Sequence, residues 1–85
     1  MPSPESSPDE YQTADLAVSA FLVTNGLPLL GFQHDGAKVF FRFPRGAEDT
    51  ARLFFQPGRN LVDARLFHFN LRELRGMTKE AGRRW

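Results

Sequence analysis

The sequence contains no cysteine among its 85 residues, which excludes both a disulfide framework and thiolate ligation of zinc. The spacing of its two histidines, His34 and His68, matches no common set of metal ligands. No apolar run approaches the ~18–20 residues needed to cross a bilayer, and the first residues lack the basic and apolar regions of a signal peptide. We therefore expect a soluble, cytoplasmic protein that binds no metal, no cofactor and no membrane.

The sequence also lacks the residue arrangements on which enzymes depend. No potential nucleophile is accompanied by a plausible base and orienting group, and the glycines are isolated rather than grouped in a phosphate-binding loop. Domains usually have roughly 100–200 residues, so the chain is too short for a two-domain enzyme. We expect no catalytic residues, no enzymatic activity and no small-molecule substrate.

Two features of the composition bear on partners. Nine Phe residues give a short chain enough apolar area for a compact core, although one or two of them could instead serve a partner. Residues 1–35 carry five acidic side chains and no Lys or Arg, whereas residues 36–85 carry all 11 basic side chains against five acidic ones. Such asymmetry favours an anionic partner, or a match between the acidic and basic parts of the chain.

The chain divides into a folded part and two tails. Residues 1–10 are rich in Pro, Ser and acidic side chains and are predicted to form a disordered tail. The domain is expected to cover residues 11–76, followed by a frayed basic tail at residues 77–85. It begins with a short strand at residues 11–13. Thr13 or Asp15 then caps a first helix that is apolar almost all round, ends at Asn25 and Gly26, and should lie centrally.

A β-hairpin is the clearest local feature. Asp35 and Gly36 form a preferred two-residue turn, which predicts pairs running from Gln33 with Lys38 to Leu29 with Arg42 and places Gly31 opposite Phe40. The apolar face, predicted to pack against the first and third helices, comprises Leu30, Phe32, Val39, Phe41 and Phe43. The outer face comprises Gln33, Lys38, Phe40 and Arg42. A slip of one residue would mix these faces.

Two further helices complete a small α+β domain in the order strand–helix–strand–strand–helix–helix. The second is predicted over residues 47–55, with Glu48 placed to pair with Arg52. Its apolar face comprises Ala47, Ala51, Phe54 and Phe55. The third begins after Asp63, a good cap, and is expected to end at Gly76.

The third helix carries two apolar arcs separated by a basic stripe, at about 100° per residue. One arc comprises Ala64, Phe67, Leu71 and Leu74. The other comprises Val62, Leu66 and Phe69. The basic stripe comprises Arg65, His68, Arg72 and Arg75. So small a domain is not expected to cover both arcs, so either Leu66 with Phe69, or Phe67 with Leu71, is predicted to contact a protein partner or a second copy.

Nucleic acid is the most specific partner that these residues indicate. Lys38, Phe40 and Arg42 would stand together on the outer face of the hairpin, where bases stack on Phe40 and cations hold phosphates. The basic stripe offers a second phosphate-facing surface. Alternatively, its Arg side chains pair with carboxylates such as Asp63 and Glu73. We expect a non-enzymatic module that binds nucleic acid, or else a protein-interaction or self-associating module.

The apolar and capping positions between residues 11 and 75 resemble those of a small family of bacterial and phage proteins. The matching positions are Tyr11, Thr13, Asp15, Leu16, Ala20, Phe21, Leu22, Pro28, Leu29, Leu30, Gly31, Phe32, Val39, Phe40, Phe41, Phe43, Val62, Asp63, Ala64, Arg65, Leu71, Arg72 and Leu74. That family is known only as a domain of unknown function. The resemblance implies a stand-alone α+β domain of phage or mobile-element type, with no catalytic residues to carry over.

Overall fold

Three strands and three helices make up the part of the chain that the computed structural model describes, residues 10–84, with side chains described for residues 10–79. The elements are β1 (Glu10–Thr13), α1 (Leu16–Thr24), β2 (Gly31–Asp35), β3 (Lys38–Pro44), α2 (Ala47–Phe54) and α3 (Ala64–Arg84). This order confirms the predicted α+β fold. The predicted disordered tail lies outside the described residues except for Glu10, which was wrongly assigned to it and instead begins β1.

The sheet is antiparallel, with β3 between β1 and β2. Along β3, Val39, Phe41 and Phe43 are buried, whereas Phe40 and Arg42 on the other face are half-buried. This alternation follows from the two-residue period of a strand with one face on the core. The predicted sorting of β3 side chains between the two faces is therefore confirmed.

The predicted pairing of β2 with β3 is wrong by two residues. Asp35 pairs with Lys38, Phe32 with Phe41, and Gly31 with Arg42, so the turn consists of Gly36 and Ala37 rather than Asp35 and Gly36. Gly36 has a φ of 61° and Ala37 has no positive φ, as in a type II′ turn with Gly at the first central position. A shift of two residues leaves every side chain on its predicted face, because the period of a strand is two.

Helix α1 lies at the centre of the fold. The Asp15 carboxylate accepts a hydrogen bond from the Val18 amide at 3.0 Å, which confirms it as the N-cap. The helix ends at Thr24 and is followed by its C-cap residue Asn25 and by Gly26, which has a φ of 89°. Its five consecutive buried residues are Val18, Ser19, Ala20, Phe21 and Leu22. A short helix buried on all sides is held by its neighbours rather than by its own hydrogen bonds.

Helix α2 packs on α1 through small side chains and one ring. Ala47 and Ala51 are buried, and the ring of Phe54 meets that of Phe21 edge-on at 5.5 Å between centroids. Phe55 is 68% exposed, so its predicted place on the buried face is wrong. It follows the last helical residue, where the chain no longer keeps the helical period.

Helix α3 begins as predicted but ends later. The Asp63 carboxylate accepts a hydrogen bond from the Leu66 amide at 3.0 Å, as expected of a cap. The helix then continues through Gly76 to Arg84, so the predicted helix end at Gly76 is wrong. Met77 packs against the core and thereby holds the chain in register beyond the glycine. Among the described residues, no helix combines the length and apolarity required to cross a membrane.

One hydrophobic core joins the sheet to the helices. Its buried members are Val18, Ala20, Leu22, Val39, Phe41, Phe43, Ala47, Ala51 and Leu74. Two residues predicted to pack there do not: Leu30 is 48% exposed and Phe32 is 43% exposed. They belong to or adjoin β2, an edge strand of the sheet, and the helices leave that edge partly uncovered.

Candidate functional site

The outer sheet face holds one of the two predicted binding surfaces, but its arginine is already engaged. Arg42 donates from Nε to Glu10 Oε1 at 3.0 Å and from Nη2 to Glu10 Oε2 at 2.6 Å. This two-point contact holds the pKa of Glu10 below its usual value and raises that of Arg42. A phosphate at Arg42 would first have to displace an ion pair between neighbouring strands.

The predicted aromatic of this face is also less available than expected. Phe40 is half-buried and lies opposite Gln33, not opposite Gly31. Gly31 instead pairs with Arg42. If residue 31 had a side chain, its Cβ would lie only 3.3 Å from Nη1 of Arg42. Of Lys38, Phe40 and Arg42, only Lys38 is both exposed and outside an ion pair in the described part of the chain.

The second predicted surface, the basic stripe of α3, is assembled as predicted. Its four residues Arg65, His68, Arg72 and Arg75 are all exposed. They recur at spacings of three and four residues, which places them on one side of a helix. Because α3 continues past Gly76, Lys79 follows Arg75 by four residues, is also exposed, and extends the same stripe.

The cations of the stripe are not neutralised within the described residues. The ion pairs found there join Arg42 to Glu10, and Arg52 to Glu48 and Asp49. The expected alternative, pairing of the stripe with Asp63 or Glu73, is not observed at residues 10–79. The Asp63 carboxylate caps the helix, and Glu73 directly follows Arg72, so the two side chains leave the helix in different directions.

A shallow depression of about 480 Å³ opens beside the stripe. It is lined by Arg65, His68, Phe69, Arg72 and Glu73. Phe69 is 58% exposed, so its ring lies in the surface among three basic side chains and one carboxylate. The depression therefore combines an aromatic ring, two guanidinium groups, an imidazole and one carboxylate.

The structure separates the four predicted partner-contact residues into two pairs. Phe67 and Leu71 are half-buried and pack against the core. Leu66, which is 47% exposed, and Phe69 remain at the surface. Of the two predicted contact pairs, Leu66 with Phe69 is the more exposed.

Two features of the site escaped the sequence interpretation. Lys79 lies beyond the predicted helix end at Gly76, although its spacing from Arg72 and Arg75 fits the stripe. Phe69 was predicted as part of an apolar arc and as a possible contact with a protein partner or a second copy, but not as part of the basic surface. Its spacing of four residues from Arg65 and three from Arg72 is the signal that connects it to the basic side chains.

Among the described residues, no group of three or more His, Asp or Glu side chains could hold a metal ion. Comparisons of the chain with protein-family models, with curated proteins and with solved structures found no match. The resemblance to a phage and bacterial family stays a prediction.

Proposed function

We propose that this protein is a non-enzymatic binding module whose basic stripe on α3 contacts the phosphates of a nucleic acid. The observation that carries the proposal is the exposure of Arg65, Arg72, Arg75 and Lys79 along one side of one helix, without a carboxylate partner among residues 10–79. By contrast, Arg42 and Arg52 form ion pairs within residues 10–79. Unpaired cations aligned on one surface suit a polyanion.

The length and composition of the stripe fit a phosphate backbone. From Arg65 to Lys79 the helix rises about 21 Å at 1.5 Å per residue. A strand of duplex DNA places a phosphate about every 3.4 Å along its axis, so the stripe spans about six of them. The planar guanidinium groups of three arginines can each donate two hydrogen bonds to one phosphate.

The phage or mobile-element type rests on the sequence resemblance alone and adds nothing to the argument from α3. The nucleic-acid proposal would stand for a protein of any origin, since it depends on exposed charge. We therefore propose an accessory role in nucleic-acid transactions, with no chemical step of its own.

Replacement of Arg72 by alanine tests the proposal. We expect Arg72→Ala to weaken binding of a fluorescent duplex oligonucleotide and to lower the slope of log K against log salt by somewhat under one unit. Arg52→Ala is the matched control, because Arg52 is exposed on α2 but pairs with Glu48 at 2.7 Å. Failure of the wild-type protein to bind at tens of micromolar in about 50 mM salt would contradict the proposal.

A second candidate function, contact with a protein or a second copy, is favoured by one observation. Leu66 and Phe69 are large apolar side chains exposed one turn apart on α3. An apolar contact would be insensitive to salt, unlike phosphate binding. Sedimentation at increasing protein concentration distinguishes a second copy: a monomer that persists into the hundreds of micromolar excludes self-association, and Leu66→Ser should abolish any dimer that forms.

A further inference from the structure

We infer that the ligand of α3 is single-stranded nucleic acid and that Phe69 is the platform on which one of its bases stacks. This inference rests on the proposed function and names its substrate class. It replaces the stacking role predicted for Phe40. Phe69 is 58% exposed, whereas Phe40 is half-buried beside an arginine that is already paired.

The cations lie on both sides of the Phe69 ring along the helix. Arg65 precedes Phe69 by four residues and Arg72 follows it by three, which corresponds to about 6 Å and 4.5 Å along the axis. Both arginines line the same depression as the ring. A base stacked on Phe69 would therefore place its two flanking phosphates near different guanidinium groups.

The carboxylate in the depression favours a base over an isolated phosphate. Glu73 also lines the depression and carries the opposite charge to the two arginines. An ionised carboxylate accepts hydrogen bonds but cannot donate them. It would repel a phosphate held at the centre of the depression. It can accept from the exocyclic amino group of a base, as carboxylates do from cytosine. His68 supplies a further polar group, or a second ring, at the rim.

Unpaired strands are favoured because a base in a duplex already stacks on its neighbours. Both faces of a base in a duplex are covered by neighbouring bases. Phe69 can therefore add to the binding affinity only where a base is free to leave the stack. The arginines, in contrast, contact phosphates of either form. The structure thus divides affinity into a charge-dependent part common to both forms and an aromatic part specific to single strands.

The experiment compares Phe69 variants on single-stranded and duplex oligonucleotides of equal length, by fluorescence anisotropy at low salt. We expect Phe69→Ala to weaken single-strand binding about 5- to 150-fold, as measured for loss of one base–aromatic stack, and to change duplex binding less than about twofold. Phe69→Trp should retain or strengthen single-strand binding. Phe69→Leu keeps apolar volume without an aromatic face and should behave like the alanine variant.

Phe55→Ala is the matched control, because Phe55 is an aromatic residue that is 68% exposed and lies outside α3. Wild-type single-strand affinity in Phe69→Leu, or equal losses on both forms in Phe69→Ala, would overturn the inference. If Arg72→Ala still weakened binding in those cases, the proposed function would stand without it. Absence of binding to either form by the wild-type protein would instead remove the proposed function itself.

Discussion

Gly36 determines the direction in which the chain turns between β2 and β3. Its φ of 61° lies in the region that a β-branched residue adopts only with strain. We expect Gly36→Val to lower the free energy of unfolding by about 1–3 kcal/mol, a large share of the ~5–10 kcal/mol typical of a small domain. Ala37→Val is the control, because Ala37 is the exposed neighbour in the same turn and has no positive φ. Equal melting temperatures for Gly36→Val and wild type would contradict the observed turn.

The Glu10–Arg42 ion pair predicts that the stability of the protein depends on pH. The lowered pKa of Glu10 determines whether stability rises or falls with pH. The hydrogen bond that Arg42 donates holds the pKa of Glu10 below its usual value of 4.5. The ionised carboxylate therefore stabilises the folded protein fully at pH values above 4.5. The contribution is lost as the pH falls through the lowered pKa of the folded state. Thermal melting of wild type and Glu10→Gln should therefore differ at neutral pH and converge in acid. A difference that did not change with pH would show that the pair does not form.

At the scale of the element, the sequence pattern predicts that α3 ends at Gly76, whereas the observed helix continues through it. It lies inside α3 without a positive φ, and a Cβ there would meet no atom within 4 Å. We expect Gly76→Ala to raise the free energy of unfolding by about 1 kcal/mol, the difference in helix propensity between the two residues. Gly26→Ala, at a φ of 89° with equally open surroundings, should destabilise. Urea denaturation checks both, and a destabilised Gly76→Ala would indicate that the helix ends there after all.

The faces of the elements could be predicted from the sequence, but the alignment of neighbouring elements could not. The alternation of β3 identifies Val39, Phe41 and Phe43 as buried, and any even shift of β2 preserves that assignment. The choice between even shifts depends on the turn and on long-range contacts. In the observed pairing the rings of Phe32 and Phe41 lie 6.5 Å apart. No local pattern contains that contact.

The end of α3 escaped prediction for a similar reason. A single glycine weakens a helix by only about 1 kcal/mol, which packing of the next turn can offset. Met77 contacts the core, and the Thr78 hydroxyl donates to the Leu74 carbonyl at 3.1 Å. Because the helix continues, Lys79 belongs to the basic stripe in the structure. The wrong helix boundary therefore left this residue out of the predicted site.

At the scale of the whole molecule, the sequence could not decide which apolar residues remain at the surface. The number of Phe residues predicts dense packing, and Phe21, Phe41 and Phe43 are indeed fully buried. Phe55 and Phe69 are exposed instead. The sequence pattern does not decide which apolar arc of α3 faces inward; in the structure α3 packs on α1, and Phe67 and Leu71 lie against the core. Exposure of Phe69 is thus a property of the assembled fold.

The central position of α1 has a consequence for the dynamics of the protein. With nine residues, the helix is too short to persist alone in water, and its neighbours include α2, α3 and β1. Its amide protons therefore cannot be released by local fraying while the rest of the domain stays intact. Hydrogen–deuterium exchange at Val18 to Leu22 should occur only through global opening, so the slowest amides of the protein should report its whole unfolding free energy.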